Sequence, residues 1–171
     1  MLLGSTTTPP SSPNTEQLVI QLMMQNRYAE AYELLINQNP KTTASLYNQA
    51  LCLHWSGNYQ DALQRLESIQ PERKTMMEQK PNSDHLNAAI RKKQNLTDDY
   101  LNVITEGFTA NFPVSVQDAV IRLKTDCWLQ LGEFSKVITI ATPIEHKQYK
   151  NIEDALKIAR EKNSFSDNKQ P

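Results

Sequence analysis

The chain has 171 residues, in which 18 Lys and Arg stand against 19 Asp and Glu, and only four residues are Gly. That length suits one domain with a real core, and the near-zero net charge excludes a basic field able to hold a nucleic-acid backbone. Scarce glycine beside abundant Leu, Ala, Gln, Glu and Lys favours an all-α domain with almost no strand.

Residues 1–14 carry Pro9, Pro10 and Pro13 with little to bury, and read as a flexible leader. Thr15 then serves as a candidate N-cap. Leu18, Val19, Leu22 and Met23 recur at helical spacing, as do Tyr28, Ala31, Tyr32, Leu35 and Ile36 after Asn26-Arg27-Tyr28, so 15–40 reads as a helical hairpin closed by Pro40. A second hairpin spans 43–71. Thr43 or Ser45 can cap its first helix, Gly57 permits the turn, Tyr59, Ala62, Leu63, Leu66 and Ile69 stripe its return helix, and Pro71 stops it.

Residues 72–84 are polar and read as a mobile insertion ending in a capping sequence, with Met76-Met77 as a pair that could dock elsewhere. Over 84–109 the positions Leu86, Ala89, Ile90, Tyr100, Leu101, Ile104 and Phe108 keep helical spacing across a polar middle. This is either one long helix with an exposed waist or two helices hinged near Asn95 to Thr97; the lack of Gly and Pro there favours the single helix. Phe112-Pro113 breaks the chain and Ser115 can cap. A third hairpin then covers 115–141 around Gly132-Glu133-Phe134. Asn151 caps a final amphipathic helix, 151–162, bearing Ile152, Ala155, Leu156, Ile158 and Ala159, and 163–171 reads as a flexible tail.

The chemistry-bearing residues form no catalytic or metal pattern. Cys52 and Cys127 lie inside apolar periodic segments and read as reduced core thiols, and His54, two residues from Cys52, faces another direction on a helix and lacks a second ligand pair. Asp98-Asp99 and Glu153-Asp154 suit helix starts electrostatically. No phosphate loop, nucleophile elbow or paired carboxylate motif appears. No enzyme activity, cofactor or metal is therefore expected. A basic region leading into an apolar run and an apolar stretch of membrane-spanning length are both missing, so a cytoplasmic protein without a membrane partner is the expectation.

The hairpins resemble the tetratricopeptide repeat family, a 34-residue helix–turn–helix array. Leu46, Ala50, Leu53, Gly57-Asn58-Tyr59, Ala62, Leu66 and Pro71 follow that family's pattern. Thr15, Val19, Leu22, Asn26-Arg27-Tyr28, Ala31, Leu35 and Pro40 follow it in the same order, with Asn26 in place of the turn glycine. Ile121, Thr125, Trp128, Gly132-Glu133-Phe134, Val137 and Ala141 form a third, more distant version. Tyr28 and Tyr59 are 31 residues apart and Tyr59 and Phe134 are 75 apart, so the array is irregular and its middle unit degenerate.

The resemblance implies a short right-handed α-solenoid of antiparallel hairpins sealed by a C-terminal capping helix. It also implies that the first helices line a concave surface holding an extended peptide or a helix of a partner protein. Projection of the helix register puts Glu16, Ile20, Met23 and Met24 on that face in the first hairpin. Tyr47, Leu51, His54 and Trp55 follow in the second, and Arg122, Asp126, Leu129 and Gln130 in the third. Trp, Tyr and Met there suit an apolar segment of a partner, although Met23, Tyr47 and Trp55 fit the seam between hairpins nearly as well. The expected function is a scaffold or adaptor. A small chaperone holding an apolar client segment, and a self-associating protein that meets a second copy of itself, are the alternatives. A clamp for acidic C-terminal peptides is not expected, because only Asn48 of the polar residues it needs is present.

Overall fold

The computed structural model describes residues 13–39, 41–70 and 85–167, and among them the regular structure is all helical, with no strand. The helices are α1 (Pro13–Met24), α2 (Tyr28–Ile36), α3 (Thr43–Trp55), α4 (Tyr59–Glu67), α5 (His85–Gln94), α6 (Glu106–Asn111), α7 (Pro113–Gln130), α8 (Phe134–Ala141) and α9 (Lys150–Asp167). Two 3-10 turns, Asp99–Leu101 and Thr142–Lys147, lie between them. Packing runs mainly along the chain: α1 lies on α2, α2 on α3, α3 on α4, α4 on α7, α7 on α8 and α8 on α9, with α7 also meeting α9, and α6 meeting α3 and α7.

The three hairpin turns are built alike. Asn26, Gly57 and Gly132 sit in the left-handed region at φ of 59°, 79° and 73°. The next residue's N–H then reaches five residues back: Arg27 to Leu22 at 2.8 Å, Asn58 to Leu53 at 2.9 Å, and Glu133 to Trp128 at 3.0 Å. This arrangement satisfies carbonyls that the end of a helix leaves open. It also aims each return helix back along its partner. Ala31, Ala62 and Val137 fall at equivalent places in those return helices and are all buried, as are Val19, Ala50 and Thr125 opposite them in α1, α3 and α7.

Several helix boundaries differ from the sequence reading. α1 already starts at Pro13, a residue pre-organised for a first helical position, so Thr15 lies inside the helix. Thr42, rather than Thr43 or Ser45, caps α3, its hydroxyl accepting the Ser45 N–H at 3.1 Å. Pro113 opens α7, which places Ser115 within the first turn. At the other end α9 begins at Lys150 and runs through Asp167, so it continues into the stretch read as tail, and Asn151 turns its side chain to Arg122 instead of capping. The expected stops at Pro40 and Pro71, the insertion at 72–84 with its methionine pair, and most of the leader lie outside the described residues.

The 84–109 region is not one helix. α5 ends at Gln94 and the chain turns, because tertiary partners capture the backbone that a continuous helix would have used. The Lys150 N–H donates to the Asn95 carbonyl at 2.9 Å, the Asn95 amide donates to the Lys147 carbonyl at 2.7 Å, and Arg122 donates to the Thr97 carbonyl at 2.7 Å. No residue of α5 or α6 is buried. The main core gathers Val19, Leu35, Tyr47, Leu51, Leu63, Leu66 and Leu123 with Tyr100 and Ile104. Smaller clusters around Ile144, Ile152 and Leu156, and around Val137 and Ala159, fix α9 to α8.

A candidate interaction surface and the segment that fills it

The 95–106 segment crosses α7, α3 and α1 in turn. Asn95 is held at Lys147 and Lys150, Thr97 and Asp99 at Arg122 of α7, Tyr100 and Ile104 at Tyr47 and Asn48 of α3, and Glu106 at Thr42 and at Glu16 of α1. Between the Asp99–Leu101 turn and α6 the backbone is extended, with ψ of 149° at Asn102 and 161° at Thr105.

The central contact is a side-chain amide acting as a strand neighbour. The Asn48 Nδ2 donates to the Ile104 carbonyl at 2.8 Å, and the Ile104 N–H donates to Asn48 Oδ1 at 3.0 Å, so both backbone groups of one residue are satisfied by one side chain. This is the two-bond exchange of an antiparallel pair, and it is indifferent to the side chain at position 104. Nearby the buried Tyr47 hydroxyl donates to the Tyr100 carbonyl. Burial pushes the Tyr47 phenol well above its ordinary pKa, which keeps the donating proton in place.

Arg122 is the second anchor. Only 2% exposed, it lies between the rings of Tyr100 and Tyr149, at 4.5 and 4.4 Å from their centroids. Its guanidinium donates to Asp99, to the Thr97 carbonyl at 2.7 Å and to Asn151 Oδ1 at 2.7 Å. A planar cation stacked between two aromatic faces and hydrogen-bonded round its edge is an arrangement suited to Arg, and one that Lys cannot copy. Beside it the Asp118 carboxylate accepts from Lys147 Nζ at 2.8 and 2.7 Å and from the Tyr149 hydroxyl at 2.7 Å, closing the network over the base of α9.

The residues projected onto an interaction face do not form one open groove. Tyr47 and Leu51 are fully buried, and Met23, His54 and Arg122 are 6%, 9% and 2% exposed; the projected face is filled from within the chain. Ile20 is half-buried, Gln130 is exposed, and Met24 and Trp55 stand out at 75% and 48% exposure. Trp55 lies flat on Tyr28 of α2, with ring centroids 5.7 Å apart and planes 11° from parallel, so it covers the seam between the first two hairpins with one face and meets solvent with the other. Three residues that the register projection puts on the first-helix face, Glu16, Tyr47 and Arg122, do touch the crossing segment.

His54 joins α3 to α7 through a 2.6 Å contact of Nε2 with Asp126, its ring edge-on to Trp55 and Tyr59. Its Nδ1 is buried without a partner. Cys52 and Cys127 are free thiols in the core, and burial pushes both up to about 12. Among the described residues no cluster of His, Cys, Asp or Glu could hold a metal ion, and no helix is long and apolar enough to cross a membrane.

Tyr100, Ile104, Asp99, Asn95, Tyr149 and Asn151 build the occupied face and were not singled out for it from sequence. Asp99 reads there as a helix-start charge; it does open the Asp99–Leu101 turn, and its carboxylate is also the partner of Arg122. Asn48, which makes the central contact, enters the sequence reading only as the one polar residue of the kind an acidic-peptide clamp needs. Comparison of the chain with protein-family models, curated proteins and solved structures finds no match.

Proposed function

We propose that the chain is a non-enzymatic interaction module, a scaffold or adaptor that holds an extended segment of another protein along the first-helix face of a short right-handed solenoid of tetratricopeptide-like hairpins. The observation carrying this reading is the double hydrogen bond between the Asn48 amide and the Ile104 backbone, at 2.8 and 3.0 Å. It is peptide-holding chemistry already performed inside the chain. The serial packing of helices and the three equivalent left-handed turns support the repeat assignment. Support for a non-enzymatic role comes from the side chains that could do chemistry. The thiols are buried and protonated, and the one His–carboxylate pair among the described residues spends Nε2 on Asp126 while Nδ1 faces the interior, out of reach of a substrate.

Photocrosslinking tests the module reading. A crosslinking amino acid at Met24 or at Trp55, on the rim of the face, is expected to give reproducible protein adducts in cell extract that one at Lys157 on α9 does not. Equal yields from all three positions would contradict it.

Self-association is the second reading, favoured by the Phe108–Phe112 ring pair, 5.3 Å between centroids, which lies exposed beside Val114. If that patch meets a second copy, light scattering shows a dimer that Phe112→Glu converts to monomer. A monomer at high concentration in both proteins removes this reading.

A further inference from the structure

We propose that the 97–106 segment is a displaceable internal occupant of the first-helix face. The partner segment that replaces it would carry the same chemistry: a single tight turn with an acidic residue and an aromatic residue directly after it, then extended backbone with an aliphatic residue four positions beyond the aromatic one. The inference rests on the module reading above and names its ligand class and its regulation.

Two observations carry it. First, the face recognises the crossing segment by features any such peptide could offer. Asn48 takes one residue's N–H and C=O, Tyr47 takes a carbonyl, and Arg122 takes a carbonyl and a carboxylate; Tyr100 and Ile104, 5% and 7% exposed, supply the buried side chains. Backbone pairing gives affinity while the pockets for Asp99, Tyr100 and Ile104 give specificity, as in other modes of extended-peptide capture. Second, the hairpins do not need the segment to stay together. The contacts of α2 on α3, α3 on α4, α4 on α7, α7 on α8 and α8 on α9 are direct. The helices that flank the crossing segment, α5 and α6, bury no residue. Release therefore sacrifices the segment's own contacts, Tyr100 and Ile104 in the core among them, and those of α6 on α3 and α7, while the helix-on-helix contacts of the hairpins stay in place, the kind of local opening that precedes global unfolding.

An occupant tethered in the same chain competes at a high effective concentration, so apparent affinity for an outside segment is lowered by the fraction of molecules in which the face is free. A labelled peptide copying 97–107 is the probe, with fluorescence anisotropy on the full chain. It is expected to bind wild type weakly, to bind Ile104→Ala at least about tenfold more tightly, and to lose that gain when Asn48→Ala is added. Equal binding to wild type and Ile104→Ala, or binding to neither, overturns the proposal.

Should Ile104→Ala fail to fold by circular dichroism, hydrogen exchange on wild type decides. Excess peptide is expected to speed exchange of the Ile104 amide while amides of α3 and α7 stay unchanged. An Ile104 amide that exchanges only with those of α3 and α7, whatever the peptide concentration, overturns it. Because the probe is synthetic, failure here is separable from failure of the module reading: rim crosslinks to a partner with no release of Ile104 would sink the displacement alone.

Discussion

Gly57 and Gly132 hold φ of 79° and 73°, and a Cβ at either would meet nothing within 4 Å. The reason for glycine is therefore the left-handed backbone alone. Asn26 meets the same demand in the first hairpin, and its Oδ1 accepts the Tyr28 hydroxyl at 2.8 Å. Gly57→Ala is expected to cost about 1–2 kcal/mol in urea denaturation, with Gly57→Asn costing less. An unchanged midpoint for Gly57→Ala would contradict the turn geometry. Arg122 carries the opposite kind of constraint, one of partners rather than of backbone. Arg122→Lys keeps the charge but loses the fork and the stacking between Tyr100 and Tyr149, and leaves part of the acceptor set of Asp99, Asn151 and the Thr97 carbonyl unpaired. A loss of about 2 kcal/mol or more is expected, again read by urea denaturation, and full stability in Arg122→Lys would show that charge alone matters there.

Elements differ in how much of the whole they hold. α4 buries Ala62, Leu63 and Leu66 between α3 and α7, whereas α5 buries nothing. A proline in a helix interior breaks that helix, yet the cost reaches the global equilibrium only if the helix is part of the cooperative core. Ala88→Pro in α5 is expected to remove a short helix's worth of circular dichroism signal while leaving global stability within about 0.5 kcal/mol. Leu63→Ala, by contrast, empties a fully packed site and is expected to cost about 2–5 kcal/mol. Equal losses from the two variants would place α5 in the core.

Across the whole molecule, what could be read from sequence was what is local. The hairpins were legible because Ala31, Leu35, Ala62 and Leu66 recur at helical spacing and a glycine or asparagine marks each turn. The face of the first helices could be projected from the same period, and three of the twelve residues on it, Glu16, Tyr47 and Arg122, lie against one segment. The identity of that segment was not legible. Asn48 and Ile104 are 56 positions apart, and an extended stretch held by one amide has no period to betray it. Helical spacing at Tyr100, Leu101, Ile104 and Phe108 even argued for a helix, and tertiary hydrogen bonds from Arg122, Lys150 and Asn48 overrode it.

The central claim, that the chain fills its own first-helix face, is tested most directly by NMR of the free protein. Cross-relaxation is expected between the Asn48 side-chain amide protons and the Ile104 backbone, together with close contacts between the Tyr47 ring and Tyr100. An Asn48 amide exchanging freely with water, with neither set of contacts present, would contradict it.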